Sequence, residues 1–293
     1  MPFNNTLPIG LFDSGIGGLT VLKELVKLLP QENFIYFADN LHLPLGDKTE
    51  TEILSYAKET ALFLLRKKIK LLVVACNTTS SIALDALRDL LPIPVIGVIQ
   101  PLVKEAILLK KARIGVIATR ATIRTGVYAK ELTKKAPQSV VFEKACPLLV
   151  PLIEKGDFFS GELKKTVEIY LKPLKQAKIE LLLLGCTHYP LVRAFCENYL
   201  GPDTEIIEAS LPCALEVKKQ LLTKGLANTN ATTDAIIKNI TKKSSVCFFV
   251  SGDELSFQRS GELFLGKTIE KVLRKDNNFT CIQKSKDEVL HGL

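Results

Sequence analysis

Two short, unbroken apolar runs stand out in the hydropathy pattern, 110 positions apart. The first is Leu71-Leu72-Val73-Val74-Ala75-Cys76, followed by Asn77-Thr78-Thr79-Ser80. The second is Leu181-Leu182-Leu183-Leu184-Gly185-Cys186, followed by Thr187-His188-Tyr189-Pro190. Each run is too short for an ordinary helix and reads as a strand buried on both faces. Each cysteine then stands at the carboxyl end of a parallel strand, where open α/β sheets place their ligands. The polar residues that follow predict helix starts, with Thr78, Thr79 or Ser80 as N-cap in one copy and Thr187 in the other. A thiol at a helix N-terminus is expected to be biased toward thiolate. Free cysteine is also a common core residue, but two sites with the same local pattern favour a shared role.

The rest of the chain alternates in the same way. Residues 7–12 predict a first strand, ending in Asp13-Ser14-Gly15-Ile16-Gly17-Gly18. Leu19, Leu22, Leu25, Val26 and Leu29 then have helical spacing up to Pro30. Residues 33–38 form a second strand that ends at Asp39, and a loop with Pro44-Leu45-Gly46 leads to a helix over 51–67. A fourth strand covers 95–98. The pattern then restarts: 113–119 repeats 9–14 with a displacement of 105 (Ile9 to Ile114), and 140–142 answers 34–36 with a displacement of 106. Ile206-Ile207 answers Val95-Ile96 at a similar displacement. Four strands in one order at nearly constant offset imply an internal duplication.

Beyond the repeat come a helix over 209–224, a polar stretch 228–233, a helix to Lys243, a strand over 246–250 with Ser251-Gly252-Asp253, and a helix to Gly266. The expected fold is α/β, with two similar, mostly parallel-sheet domains and right-handed crossovers. The first domain comprises residues 1–99 and 209–293, the second 100–208. The active site is expected in the cleft between them.

Composition narrows the classes. The 293 residues are 47% hydrophobic and 24% charged, as in a soluble globular chain. No run of eighteen apolar residues and no N-terminal signal pattern is present, so no membrane partner and a cytoplasmic location are expected. Seven cysteines without a Cys-x-x-Cys pair, beside three histidines, argue against a zinc or disulfide framework, and no metal is expected. Net charge is +8, but the basic residues are spread over 104–113, 130–135 and 164–178, and aromatics are 7%. A solvated basic surface suited to an anionic substrate is expected, not a nucleic-acid site. A homodimer is compatible with the sequence.

The glycine-rich turn 13–18, with Asp39 after the second strand, partly matches a dinucleotide fingerprint, but Thr20 occupies the third glycine position. Two other readings are a tight turn, or a turn that aims Asp13 and Ser14 into the cleft and offers N–H groups to a carboxylate. Cys186 with His188 and Glu154 also suggests a cysteine–histidine hydrolase, though none of the local signatures is present. His42 and His291 lack support as ligands. Two thiols facing each other across an anion site suit a different reaction, in which one takes a proton from a carbon and the other delivers one to the opposite face. That inverts a stereocentre without a cofactor. Each thiol needs an acid–base partner: Asp13 for Cys76, His188 or Glu154 for Cys186. Asn77, Thr78, Thr119, Thr122 and Thr187 are candidate donors to the substrate carboxylate.

These residues resemble the glutamate racemases of the cofactor-independent aspartate/glutamate racemase superfamily. The motifs are Gly10-Leu11-Phe12-Asp13-Ser14-Gly15-Ile16-Gly17-Gly18-Leu19, Ala75-Cys76-Asn77-Thr78, Val150-Pro151-Leu152-Ile153-Glu154-Lys155-Gly156 and Gly185-Cys186-Thr187-His188-Tyr189-Pro190. The resemblance implies interconversion of L- and D-glutamate, supplying D-glutamate for peptidoglycan. It implies that Cys76 and Cys186 are the acid–base thiols, supported by Asp13, Glu154 and His188, and that Ser14, Asn77, Thr78 and Thr187 hold the substrate. The family usually has Pro-Tyr-Gly where this chain has Pro44-Leu45-Gly46, so Leu45 and Gly46 are expected to contact substrate through their backbone. It usually has an acid where Gln100 stands.

Overall fold

The computed structural model describes residues 5–157, 160–228 and 244–276. Cys281, His291, the polar stretch after Asn228 and the helix expected up to Lys243 lie outside the described residues. The first sheet and its helices begin with β1 (Ile9–Asp13), α1 (Leu19–Leu28), β2 (Phe34–Ala38), α2 (Glu50–Arg66), β3 (Leu71–Val74), α3 (Asn77–Ile82), α4 (Leu84–Leu90) and β4 (Val95–Gly97). Helix α5 (Ile99–Leu108) leads into β5 (Arg113–Ala118), α6 (Arg120–Thr125), α7 (Val127–Lys135), β6 (Val140–Ala145), α8 (Leu149–Glu154), α9 (Gly161–Gln176), β7 (Leu181–Gly185), α10 (Arg193–Leu200) and β8 (Glu205–Glu208). The chain returns through α11 (Ser210–Thr223) to β9 (Val246–Val250), a helix over Glu254–Leu265 and β10 (Val272–Arg274).

Both sheets are parallel throughout. The first runs β10-β9-β2-β1-β3-β4 and the second β6-β5-β7-β8, so the second repeats the order β2-β1-β3-β4 of the first. Register refines the offsets. Ile9 pairs Phe34 and Leu71, while Ile114 pairs Val141 and Leu181. Phe34 therefore answers to Val141, 107 residues on, one more than the apolar pattern suggested. Val95, opposite Leu72, answers to Ile206, opposite Leu182, a displacement of 111. β9 joins β2 and extends the first sheet, as expected, and β10 adds an edge strand that the sequence did not reveal.

The duplication extends to packing detail. Gly10 faces Ile69, whose Cδ1 lies 2.6 Å from where a Cβ on Gly10 would stand, and Gly115 faces Ile179 at the same 2.6 Å. A side chain at either glycine would drive that isoleucine out of the layer beneath the strand. Lys68 and Lys178, three residues before β3 and β7, both adopt left-handed backbone, with φ of 60° and 49°. In each copy the turn leaves the preceding helix and sets the isoleucine beneath the glycine.

Alternation along the strands sends side chains to two faces. Ile9, Leu11, Leu71 and Val73 join Ile114, Val116, Leu181 and Leu183 in one buried cluster, bridged by Ile99, Leu102 and Val103 of α5 and Ala214 and Val217 of α11. The opposite faces keep separate cores: Phe12, Phe37, Leu72 and Val74 with α2 in the first sheet, and Ile117, Leu182 and Leu184 with α9 and α10 in the second. A shared apolar wall thus fixes the two sheets relative to each other and holds their strand ends about one cleft. Among the described residues no helix is long and apolar enough to cross a membrane.

Candidate active site

Cys76 follows β3 and is itself the N-cap of α3, with β-region backbone. The helix therefore starts earlier than the threonines suggested, because Asn77, Thr78 and Thr79 already turn helically. Cys186 follows β7, but no helix starts at Thr187. His188 precedes a short 3-10 turn over Tyr189–Val192, and α10 begins only at Arg193. Pro190 lacks the N–H for a regular turn but fits the first positions of this one. The matching apolar strands thus end in different local structures.

One small cleft at the strand ends is lined by Ser14, Leu45, Gly46, Cys76, Asn77, Thr78, Thr119, Cys186, Thr187 and His188, with Leu43, Pro44, Asp47, Arg120, Pro147 and Val150 completing it. Of the residues singled out from the sequence, Asp13, Glu154 and Thr122 stand behind this lining. A larger groove beside β4 and α11 contains no cysteine and shares no lining residue with the cleft. Gln100 borders that groove, where its Oε1 accepts a hydrogen bond from Lys135 Nζ at 2.8 Å, so its departure from the family pattern does not touch the cleft.

The two thiols have different neighbours. Cys186 Sγ lies 3.8 Å from His188 Nδ1, and His188 Nε2 donates to Glu154 Oε1 at 2.6 Å. Burial alone would lower the pKa of His188, but its hydrogen bonds to Cys186 and Glu154, and their charges, raise it well above 6.5. Burial would raise Glu154, yet the His188 hydrogen bond and charge and the Ile16 N–H bring it below 4.5. Both shifts favour the charged imidazolium–carboxylate pair, with His188 buried, Glu154 half-buried and His188 Nδ1 turned to sulfur. Cys76 Sγ instead lies 3.9 Å from the uncharged Ser14 hydroxyl. Burial, then the Asp13 charge, push its pKa up to about 12, against hydrogen bonds from the Thr79 hydroxyl and N–H. The expected helix-terminal bias toward thiolate is therefore reversed at Cys76, because desolvation outweighs a six-residue helix. A charge on Cys186 raises Cys76 further.

Asp13 does not hydrogen-bond to Cys76. Its carboxylate accepts from Gly15 N–H and from the Thr187 hydroxyl, both at 3.1 Å. Burial raises its pKa, opposed by the His188 charge and by donors from Gly15, Gly18 and Thr187. The glycine-rich turn serves close approach. A Cβ on Gly17 would lie 2.5 Å from His188 Nδ1, and one on Gly15 would lie 2.4 Å from Glu154 Oε1. The Gly15 and Ile16 N–H groups meet the protein's own Asp13 and Glu154. Across the cleft the hydroxyls of Thr78, Thr119 and Thr122 form a triangle, with separations of 2.8, 3.0 and 3.3 Å.

Two tyrosines escaped the sequence reading. Tyr36 and Tyr128 sit at core positions, so their spacing marks them as packing residues. Their hydroxyls are the missed signal, since a buried tyrosine needs a polar partner. Tyr36 donates to the Gly15 carbonyl at 2.8 Å and Tyr128 to Asn77 Oδ1 at 2.6 Å. Among the described residues no three His, Cys, Asp or Glu side chains gather as a metal site.

A repeated parallel sheet with one thiol at the same strand end of each copy, both on one polar cleft, defines a pseudo-symmetric two-thiol α/β protein. The chain belongs to the Asp/Glu/hydantoin racemase family, whose model matches residues 18–210. It is 40% identical over 265 residues to a glutamate racemase of Geobacter metallireducens, covering 90% of this chain and 94% of that protein. It is 40% identical over 270 residues to one of a Thermoanaerobacter species, covering 92% and 97%. Among solved structures, a glutamate racemase of Bacillus anthracis superposes with a TM-score of 0.84 at 36% identity, and one of Francisella tularensis in complex with D-glutamate with 0.82 at 36%. Each comparison covers 92% of this chain and 97% of the other.

Proposed function

We propose that the protein is a glutamate racemase that interconverts L- and D-glutamate and supplies D-glutamate for peptidoglycan, with Cys76 and Cys186 as its two acid–base groups. The observation that carries this reading is the pair of thiols at equivalent strand ends on one cleft, in a chain similar along most of its length to glutamate racemases.

The α-carbon lies between the sulfurs. One thiolate takes the α-proton, and the resulting carbanion accepts a proton on its other face from the opposite thiol. The rise of the Cys76 pKa beside a charged Cys186 suits this exchange, in which one thiol acts as acid while the other acts as base. His188, held by Glu154, serves Cys186: its Nδ1–H stabilises the thiolate. Ser14 and Thr79 are hydrogen-bond partners of Cys76, and Asp13 fixes Thr187 and the glycine turn. Asn77, Thr78, Thr119 and Thr187, with the backbone of Leu45 and Gly46, bind glutamate, and Thr122 supports Thr119. Donors on the α-carboxylate stabilise charge that develops there.

The cysteine-bearing halves form two domains, residues 1–99 with 209–293 and residues 100–208. The thiols of Cys76, Cys146, Cys186, Cys196 and Cys213 form no disulfide, which supports a reducing compartment, the cytoplasm. The test is polarimetry of the pure protein with each enantiomer of glutamate and no additions. Decay of rotation to zero from either side supports the reading, and constant rotation refutes it.

A further inference from the structure

Tyr128 is fully buried on α7, in the half of the molecule that carries Cys186, yet its hydroxyl crosses to the other half and donates to Asn77 Oδ1 at 2.6 Å. Asn77 immediately follows Cys76. The tyrosine ring also lies against the second cysteine strand: a Cβ on Gly185 would stand 3.0 Å from Tyr128 Cε2. One side chain therefore touches the residue after one thiol and the residue before the other.

Burial, and then the charge of Cys186, push the Tyr128 pKa far above 10, so its hydroxyl keeps its proton and remains a donor. The 2.6 Å separation suits an O–H···O bond and is short for N–H···O, which places the Asn77 carbonyl oxygen, the amide's acceptor, toward the tyrosine. The amide nitrogen is then turned the other way. Asn77 is 2% exposed and lines the cleft, and its Nδ2 is the one buried side-chain nitrogen or oxygen among the described residues without a hydrogen-bond partner. An unpaired buried donor costs on the order of 1–3 kcal/mol, and an acceptor arriving in the cleft removes that cost.

We propose that Tyr128 is a positioning residue: through its hydrogen bond it holds the Asn77 amide with Nδ2 facing the cleft as a preset donor to a substrate carboxylate. This rests on the racemase reading above. Without the hydroxyl the amide can turn over and present its carbonyl oxygen, which repels a carboxylate. Because the bond joins the two halves, it also keeps the donor in register with the thiol of the opposite half.

The test is Tyr128→Phe, assayed in both directions. Wild-type turnover is measured first, and its absence would refute the racemase reading, not this one. With the wild type active, the variant should keep its fold while KM for both enantiomers rises about tenfold, the factor equivalent to ~1.4 kcal/mol, and kcat changes less than about threefold. Asn77→Ala should abolish the effect, so that adding Tyr128→Phe to it costs no further activity. A purely structural role would instead lower the melting temperature and the active fraction and leave KM unchanged. Unchanged KM in Tyr128→Phe, or independent losses in the double variant, would overturn the proposal. Tyr128→Met, which also lacks a donor but adapts its shape, gives the same reading should the Phe variant not fold.

Discussion

The Asp13 carboxylate and the Thr187 hydroxyl, 174 positions apart, meet at 3.1 Å. Asp13 ends the first strand of one sheet, and Thr187 follows the cysteine strand of the other. The contact is possible because the intervening turn has no side chain at Gly17, where a Cβ would lie 2.5 Å from His188 Nδ1 and 2.6 Å from Thr187 Oγ1. Gly17→Ala should therefore displace the His188 ring from Cys186 and lower kcat/KM at least about hundredfold, the scale of a misplacement near 1 Å. Enantiomers have equal free energies in water, so kcat/KM should fall by the same factor in both directions. Steady-state rates from L- and D-glutamate, with circular dichroism as the check on folding, provide the measurement. Wild-type kinetics would show that the ring tolerates the methyl.

The His188–Glu154 pair sets a pH window. Glu154 has a folded pKa below 4.5, so its stabilising contribution is complete above that value and is lost as pH falls through the folded pKa. His188 has a folded pKa well above 6.5, so its contribution is complete below that value and is lost as pH rises through the folded pKa. The stability gap between the wild type and Glu154→Gln should thus be widest between about pH 4.5 and 6.5 and narrow on either side. The variant should also lower the His188 pKa, which histidine NMR reads directly. A gap independent of pH would show that the pair is uncharged.

Leu45 lines the cleft from a 3-10 turn and is 6% exposed. Its hydroxyl-free side chain stands where the family resemblance implies a tyrosine. If substrate meets this loop through the backbone, Leu45→Tyr should change KM by less than about tenfold and leave exchange of the α-proton with deuterated water intact. Loss of exchange in a folded variant would place the Leu45 side chain in a packing role that a larger ring cannot fill.

The periodic parts of the molecule were legible in the sequence. Buried strands such as 71–74 and 181–184 are continuous apolar runs, and their recurrence exposed the repeat, while the order of the strands within each sheet came from the structure. Local endings were harder to read. Thr187 has the composition of an N-cap, but the chain after Cys186 makes a 3-10 turn to bring His188 to Glu154, a contact 34 residues apart. The sign of the Cys76 shift was misjudged because a six-residue string shows the helix end but not the desolvation around it. β10 is three residues long, too short for alternation to show. Tyr128 looks like any core aromatic until its partner across the cleft is seen.

The central claim is that each thiol serves one face of the α-carbon. Replacing Cys76 or Cys186 by Ser substitutes a far weaker acid at nearly constant volume, so racemisation should collapse in both directions with either variant. A glutamate analogue with a leaving group on the β-carbon needs a single abstraction, since removal of the α-proton expels the group with its electron pair. The decisive measurement is the elimination rate for each enantiomer of that analogue with folded Cys76→Ser and Cys186→Ser. The two variants should process opposite enantiomers. The same preference in both, or glutamate racemisation at the wild-type rate in either, would contradict the account.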